Sequence, residues 1–193
     1  MARTPSTFLL KAGDQAPGFK LSTPEENWVE LKDFEGKNGV LIIFLCNHCP
    51  FVKHIREPLA KLCARYQEQG IGVVGINSND VEKYPDDSPE MMYKEAIEAG
   101  YTFPYLFDQS QSVAKAYGAA CTPDFFLFDH EFKLFYAGQF DGSRPGNDIP
   151  VTGEDLTRAV DRLLTGSDLG FEQVPSVGCN IKWIPGQEPD YFG

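Results

Sequence analysis

Hydrophobic and polar residues alternate in blocks that predict strands and helices in a definite order. Residues 40–45 form a continuous apolar run, typical of a strand that is buried on both faces of a sheet. From residue 51 to residue 69 the apolar positions recur with a helical period, and Gly70 is a natural end for that helix. Residues 71–76 are again apolar and predict a second buried strand.

The other predicted elements are shorter and are separated by turns. The helices are residues 90–99, 111–117 and 152–164, and the extended pieces are residues 27–31, 103–107, 125–129 and 134–140. Thr152 and Asp155 have the spacing of a capping box, which predicts that the last helix begins at Thr152.

This order of elements predicts one α/β domain. It reads β-α-β, an inserted helical section, then β-β-α, which favours a central sheet with helices on both faces and right-handed crossovers between its first strands. We assign residues 1–165, including an N-terminal extension, to this domain. Residues 166–193 are rich in glycine and proline and are predicted to form a tail packed on or near it.

Composition and charge limit the function. The 193 residues are 42% hydrophobic, enough for a single buried core, and the net charge of −11 argues against nucleic acid and anionic membranes as partners. No apolar stretch approaches the roughly 20 residues of a membrane span, and residues 1–11 do not resemble a signal peptide. We therefore expect a cytoplasmic protein.

Cys46 and Cys49 carry the candidate chemistry. They are separated by two residues at the point where a predicted strand gives way to a helix, and Pro50 follows directly. This spacing lets the two sulfurs close a small disulfide ring, and a helix N-terminus favours the thiolate form. Because the same spacing begins many zinc sites, the pair alone leaves metal binding open.

Several further motifs accompany the cysteine pair, and together they cover roughly residues 13–140. They are residues 13–19, the CxxC motif with Pro50, residues 103–108, residues 116–118, the Thr122-Pro123 step and residues 126–129. With them the chain resembles the thioredoxin-like superfamily, and within it the redoxin branch that includes alkyl hydroperoxide reductase and thiol-specific antioxidant proteins. The resemblance implies a thioredoxin-like fold with a mixed sheet, and thiol–disulfide exchange with an antioxidant role.

The resemblance also implies roles for the residues of the CxxC motif. Cys46 is expected to be exposed and to attack a substrate disulfide, while the more buried Cys49 resolves the mixed disulfide. Asn47 and His48 are expected to lower the pKa of Cys46 through their backbone N–H groups and the imidazole, and Pro50, at the first helical turn, is counted with these tuning residues. The Cys46–Cys49 disulfide would be the redox group. No organic cofactor is expected, because the chain lacks a Gly-rich phosphate loop after a strand.

Thr122 and Pro123 are predicted to position the substrate. By the resemblance, Pro123 is cis, faces the CxxC motif and leaves a backbone edge free for an extended substrate. Cys121 and Cys179 are candidates for auxiliary redox thiols, although Cys121 also fits a small core residue. Cys63 lies on the apolar face of its helix and is predicted to be a core residue.

Two other functions compete with exchange. In a peroxiredoxin-like peroxidase Cys49 would be the peroxidatic residue. Three positions then depart from the peroxiredoxin pattern: Cys46 stands in place of a threonine or serine, Ile42 in place of a proline, and Pro123 in place of an arginine. Each replacement removes a group that orients peroxide. Exchange with protein or small-molecule thiols and disulfides is therefore favoured, and a homodimer is a candidate assembly.

Copper or zinc binding is the second competitor. Cys46, Cys49, His48 and His54 are candidate ligands, and His130 is the distant histidine of the chain. A second pair of ligands at suitable spacing is missing from the sequence, so we predict no metal site.

Overall fold

A computed structural model of the chain describes residues 3–192. Its helices are α1 (Pro50–Glu68), α2 (Pro89–Ala99), α3 (Ser112–Tyr117) and α4 (Glu154–Leu164). Its strands are β1 (Thr4–Pro5), β2 (Lys20–Ser22), β3 (Trp28–Glu30), β4 (Gly39–Phe44), β5 (Ile71–Asn77), β6 (Tyr105–Phe107), β7 (Cys121–Thr122), β8 (Asp124–Asp129), β9 (Leu134–Gly138) and β10 (Val177–Asn180). Among these residues no helix has the length and apolar character that crossing a membrane requires.

Seven strands form the central mixed sheet, in the order β3-β2-β6-β5-β4-β8-β9. β4 is parallel to β5 and antiparallel to β8. Leu41 and Ile43 point into a core shared with α1, α2 and α4, whereas Val40 and Ile42 point into a core shared with α3. This period-two alternation buries β4 completely and confirms a mixed sheet with helices on both faces.

The last helix differs from its prediction at the N-terminus. The N-cap of α4 is Gly153, with φ of 65°, and it makes no side-chain cap hydrogen bond. The N–H groups of Thr152 and Gly153 donate to Oδ2 of Asp141 at 2.7 and 2.6 Å. The capping box of Thr152 and Asp155 was therefore a wrong prediction, because the distant Asp141 carboxylate holds the turn before the helix.

The C-terminal segment contains a strand that its sequence did not predict. β10 lies between β1 and β7 in a small antiparallel sheet, with Gly178 opposite Thr4 and Cys179 opposite Thr122. At Gly178 a Cβ atom would lie 1.9 Å from the carbonyl oxygen of Thr122, so β10 approaches β7 as closely as only glycine allows. The segment is part of the packed structure beside the CxxC motif.

Candidate active site

The two cysteines of the CxxC motif lie between the end of β4 and the start of α1. Cys49 is the N-cap of α1 and Pro50 is its first residue, where a missing N–H costs no hydrogen bond. Both thiols are buried: Cys46 is 1% exposed and Cys49 is fully enclosed. The expectation of an exposed Cys46 was wrong, because the loop that carries Tyr84 and Asp87 packs on the CxxC motif. In this contact the Tyr84 ring stacks on the His48 ring, with 5.3 Å between the ring centroids.

Thr122 contacts both sulfurs. Its hydroxyl Oγ1 shares a hydrogen bond of 3.3 Å with Sγ of Cys46, and its carbonyl oxygen accepts one of 3.1 Å from Sγ of Cys49. The Thr122–Pro123 peptide bond is cis, as predicted. The fold therefore brings the CxxC motif and the Thr122-Pro123 step together from opposite halves of the chain.

Asp87 binds the middle of the motif, and sequence reasoning missed it. Its Oδ1 atom accepts the backbone N–H groups of Asn47 and His48 at 2.8 and 3.2 Å, and its Oδ2 atom bonds Nδ1 of His48. Asn79 Nδ2 also donates to Oδ2, at 2.8 Å. The N–H groups that were expected to serve the Cys46 sulfur thus serve a carboxylate. Burial works to raise the pKa of Asp87, but the hydrogen bonds outweigh it and the pKa is lowered.

The acidity of Cys46 is opposite to the prediction, and Cys49 is the more acidic thiol of the pair. Burial raises the pKa of Cys46 well above its usual value, and its hydrogen bond to Cys49 and the charge of Asp87 act in the same direction. Hydrogen bonds from Cys179 and Cys46 lower the pKa of Cys49. The pair therefore shares its first ionisation, with the negative charge favoured on Cys49.

The structure separates the two auxiliary cysteines. Cys179, in β10, is hydrogen-bonded to Cys49, and this bond is the main cause that raises the pKa of Cys179. Cys121 points its thiol at the carbonyl oxygen of Pro123, at 3.7 Å, and burial raises its pKa. Cys63 is buried in the core as predicted, and burial raises its pKa too. Cys179 alone of these three is in hydrogen-bond contact with the CxxC pair within the described residues.

The backbone edge at Thr122 is occupied. It was predicted to be free for a substrate, but β10 pairs with it through Cys179. A small cleft lies beside Pro123, and its lining includes Phe51, Phe140, Arg144 and Val177 of β10. The access route for an extended substrate at the Pro123 step therefore differs from the one expected.

One set of side chains has a geometry that could suit a metal ion. Among the described residues, ligand atoms of Cys46, His48 and Asp87 lie within 4.8 Å of one another. However, Nδ1 of His48 and Oδ2 of Asp87 already bond to each other, and the second oxygen of Asp87 accepts two backbone N–H groups. The second pair of ligands that a zinc site needs is not added by His54, which instead lines the cleft beside Pro123.

Comparison with known proteins identifies the family. Residues 12–137 match the model of the AhpC/TSA family. The chain belongs to that family. This AhpC/TSA protein is 31% identical over 127 residues to thiol-disulfide oxidoreductase ResA of Halalkalibacterium halodurans, covering 65% of the chain and 67% of the relative. The family match includes both CxxC cysteines and the Thr122-Pro123 step.

Two solved structures have the same fold as this chain. A hypothetical protein from Sinorhizobium meliloti 1021 has a TM-score of 0.93 and 52% identity, over 95% of this AhpC/TSA protein and 100% of the other. The thioredoxin domain of a thiol-disulfide oxidoreductase from Bacteroides vulgatus has a TM-score of 0.60 and 22% identity, over 78% and 99% of the two chains. The second likeness shows the fold alone, and it is the thioredoxin fold that the motifs predicted.

Proposed function

We propose that this protein is a thiol–disulfide oxidoreductase that exchanges electrons with its substrates through Cys46 and Cys49. The observation that carries the proposal is the contact of both thiols with one residue, Thr122, at 3.3 and 3.1 Å. Two adjacent thiols at a helix N-terminus can cycle between a dithiol and a disulfide. Family membership and the name of the ResA relative support the same reaction.

Cys46 is the sulfur that attacks the substrate. Cys49 is in hydrogen-bond contact with Thr122 and Cys179, which belong to paired strands, whereas Cys46 lies close to Asp87, whose loop binds the neighbouring Asn47 and His48. Movement of that loop would uncover Cys46 first. In the singly ionised pair Cys49 carries the negative charge, so the proton of Cys46 passes along their hydrogen bond to the Cys49 thiolate as the attack begins.

The exchange then takes two steps. The Cys46 thiolate forms a mixed disulfide with one substrate sulfur and displaces the other substrate sulfur as a thiolate. This substrate thiolate takes up the proton that Cys49 holds, which leaves Cys49 as a thiolate. The Cys49 thiolate attacks the Cys46 sulfur and displaces the second substrate thiolate. Two electrons pass from the dithiol to the substrate, and the Cys46–Cys49 disulfide remains.

The proposal includes the setting of the reaction. The Cys46–Cys49 disulfide is the redox group, without an organic cofactor or metal. The substrates are thiols and disulfides of proteins or small molecules. A cytoplasmic location, an antioxidant role and a homodimeric assembly stay predictions from the sequence.

Reduction of insulin disulfides by dithiothreitol tests the proposal. Wild-type protein should accelerate the reaction, and Cys46→Ser and Cys49→Ser should reduce it to the uncatalysed rate. Cys63→Ser is the matched control, because Cys63 is a buried cysteine of α1 whose pKa is raised by burial and not by a hydrogen bond to the pair. Cys49→Ser should also retain a stable mixed disulfide at Cys46. Full activity in both site variants would refute the proposal, and faster turnover of hydrogen peroxide than of insulin would favour a peroxidase.

A further inference from the structure

β10 holds a third cysteine against the redox pair in a fixed position. Cys179 is opposite Thr122 in the β7–β10 ladder, and the carbonyl oxygen of the same Thr122 accepts the thiol of Cys49. Gly178 packs so closely on Thr122 that a methyl group would collide with the carbonyl oxygen. The place of Cys179 is therefore set by strand pairing and close packing.

The contact of Cys179 with the pair is a direct one between sulfurs. The Cys179 thiol donates a hydrogen bond to Cys49, and its side chain is 2% exposed. Thiols in hydrogen-bond contact need only a modest approach to reach the bonding distance of a disulfide. Cys121, on the strand opposite, makes its own hydrogen bond to Pro123 instead.

We propose that Cys179 is a third exchange thiol, which attacks the Cys49 sulfur of the Cys46–Cys49 disulfide. The Cys49–Cys179 bond forms, the Cys46–Cys49 bond breaks, and Cys46 leaves as a thiolate that takes up the proton given by Cys179. The number of disulfides is unchanged, so the step needs no external oxidant or reductant. This inference rests on the proposed function of the CxxC pair.

Oxidation of the pair itself prepares Cys179 for this attack. In the reduced protein the hydrogen bond to Cys49, burial and the negative charge of Cys49 raise the pKa of Cys179, whereas the positive charge of Lys182 acts to lower it. A Cys49 sulfur that is bonded to Cys46 carries no charge, so the contribution of that charge disappears. Cys179 thus becomes easier to ionise once a disulfide is present to attack.

The consequence is that β10 acts as an internal partner of the redox site. It occupies the edge at Thr122 where an extended substrate was predicted, and it carries a cysteine beside the pair. After the internal exchange Cys46 is a thiol again, and the disulfide joins Cys49 to Cys179 of β10.

Disulfide mapping of the 193-residue chain tests the inference. Wild type and Cys46→Ser are oxidised with diamide, quenched in acid, blocked with N-ethylmaleimide and digested with trypsin. Cys46 and Cys49 share tryptic peptide 38–53, whereas Cys179 lies in peptide 163–182. A Cys46–Cys49 bond therefore stays inside one peptide, and a Cys49–Cys179 bond links two.

We expect the linked peptides 38–53 and 163–182 in both proteins, together with loss of two of the four remaining thiols in Cys46→Ser. The link should persist in Cys46→Ser/Cys121→Ser and disappear in Cys46→Ser/Cys179→Ser, with far-ultraviolet circular dichroism confirming that both variants fold. Two results together would overturn the inference and leave the proposed function intact. Wild type would contain only the disulfide within peptide 38–53, and Cys46→Ser would keep four free thiols. A link to peptide 116–133, which contains Cys121, would also overturn it. Absence of every link, combined with no insulin reduction, would overturn the proposed function as well.

Discussion

Replacing Asp124 by asparagine is expected to stabilise the protein above neutral pH. Asp124 is the first residue of β8 and is fully buried. Burial raises its pKa to about 7, although hydrogen bonds from Ser176 and Ser6 act to lower it. Its Oδ2 atom accepts the Ser6 hydroxyl at 3.1 Å, and Oδ1 has no hydrogen-bond partner among residues 3–192. A neutral group of the same shape avoids the cost of a buried charge.

The magnitude follows from the difference between the folded and unfolded pKa values. With a pKa of about 7 in the folded protein and 3.8 in the unfolded chain, Asp124 contributes about 4 kcal/mol to the free energy of unfolding at low pH. This contribution is complete below pH 3.8 and is lost progressively as the pH rises to about 7, because over this range the unfolded chain has released the Asp124 proton while the folded protein still holds it. Asparagine does not titrate, so the variant keeps its stability over the same range.

Urea denaturation followed by far-ultraviolet circular dichroism, from pH 4 to pH 8.5 under dithiothreitol, measures the effect. The free energy of unfolding of Asp124→Asn minus that of wild type should rise by about 4 kcal/mol across this range. Glu68→Gln is the control, because Glu68 is exposed at the end of α1 and its neutralisation should leave the profile unchanged. Parallel profiles for wild type and Asp124→Asn would show that Asp124 is ionised throughout and would refute the reasoning.

Three other substitutions test the surroundings of the pair. Gly178→Ala should lower the free energy of unfolding by about 1–3 kcal/mol, because the new methyl group would collide with β7. Gly18→Ala is the control, since there is open space around Gly18. Equal denaturation midpoints for the two variants would contradict this prediction. Asp87→Asn should lower the pKa of Cys46 by removing a nearby negative charge, measured as a shift of the alkylation rate profile to lower pH. His48→Ala should shift that profile in the opposite direction, because the Asp87 charge loses its partner, and identical profiles in His48→Ala and wild type would argue against this electrostatic account.

The sequence could predict the features that depend on local pattern. The continuous apolar run gave β4 within one residue, because a strand covered on both faces has no polar side. The positions of the CxxC motif at the start of α1 and of the cis Thr122–Pro123 step were confirmed as well. Neighbouring residues are enough to determine β4 and the start of α1, whereas the cis step was predicted from the resemblance to the thioredoxin-like superfamily.

The features that the sequence could not predict depend on distant contacts. Asp87 lies outside the predicted helices and strands, and its partner Asn47 is 40 residues away. The burial of Cys46 itself, together with its hydrogen bond to Cys49 and the charge of Asp87, raises the pKa of Cys46 and reverses the acidity predicted from the helix N-terminus. β10 has only four residues and no periodicity, so its pairing with β7 became visible only in three dimensions.

The small sheet of β1, β10 and β7 also has a practical consequence for handling the protein. It ties segments near both ends of the chain to the residue that touches the two redox sulfurs. A fragment cut at residue 165 would lack β10 and leave an unpaired strand edge beside Cys49, which favours aggregation. Affinity tags and truncations at either terminus can therefore alter redox behaviour, and a tag placed on an exposed loop is the safer choice for measurements on this protein.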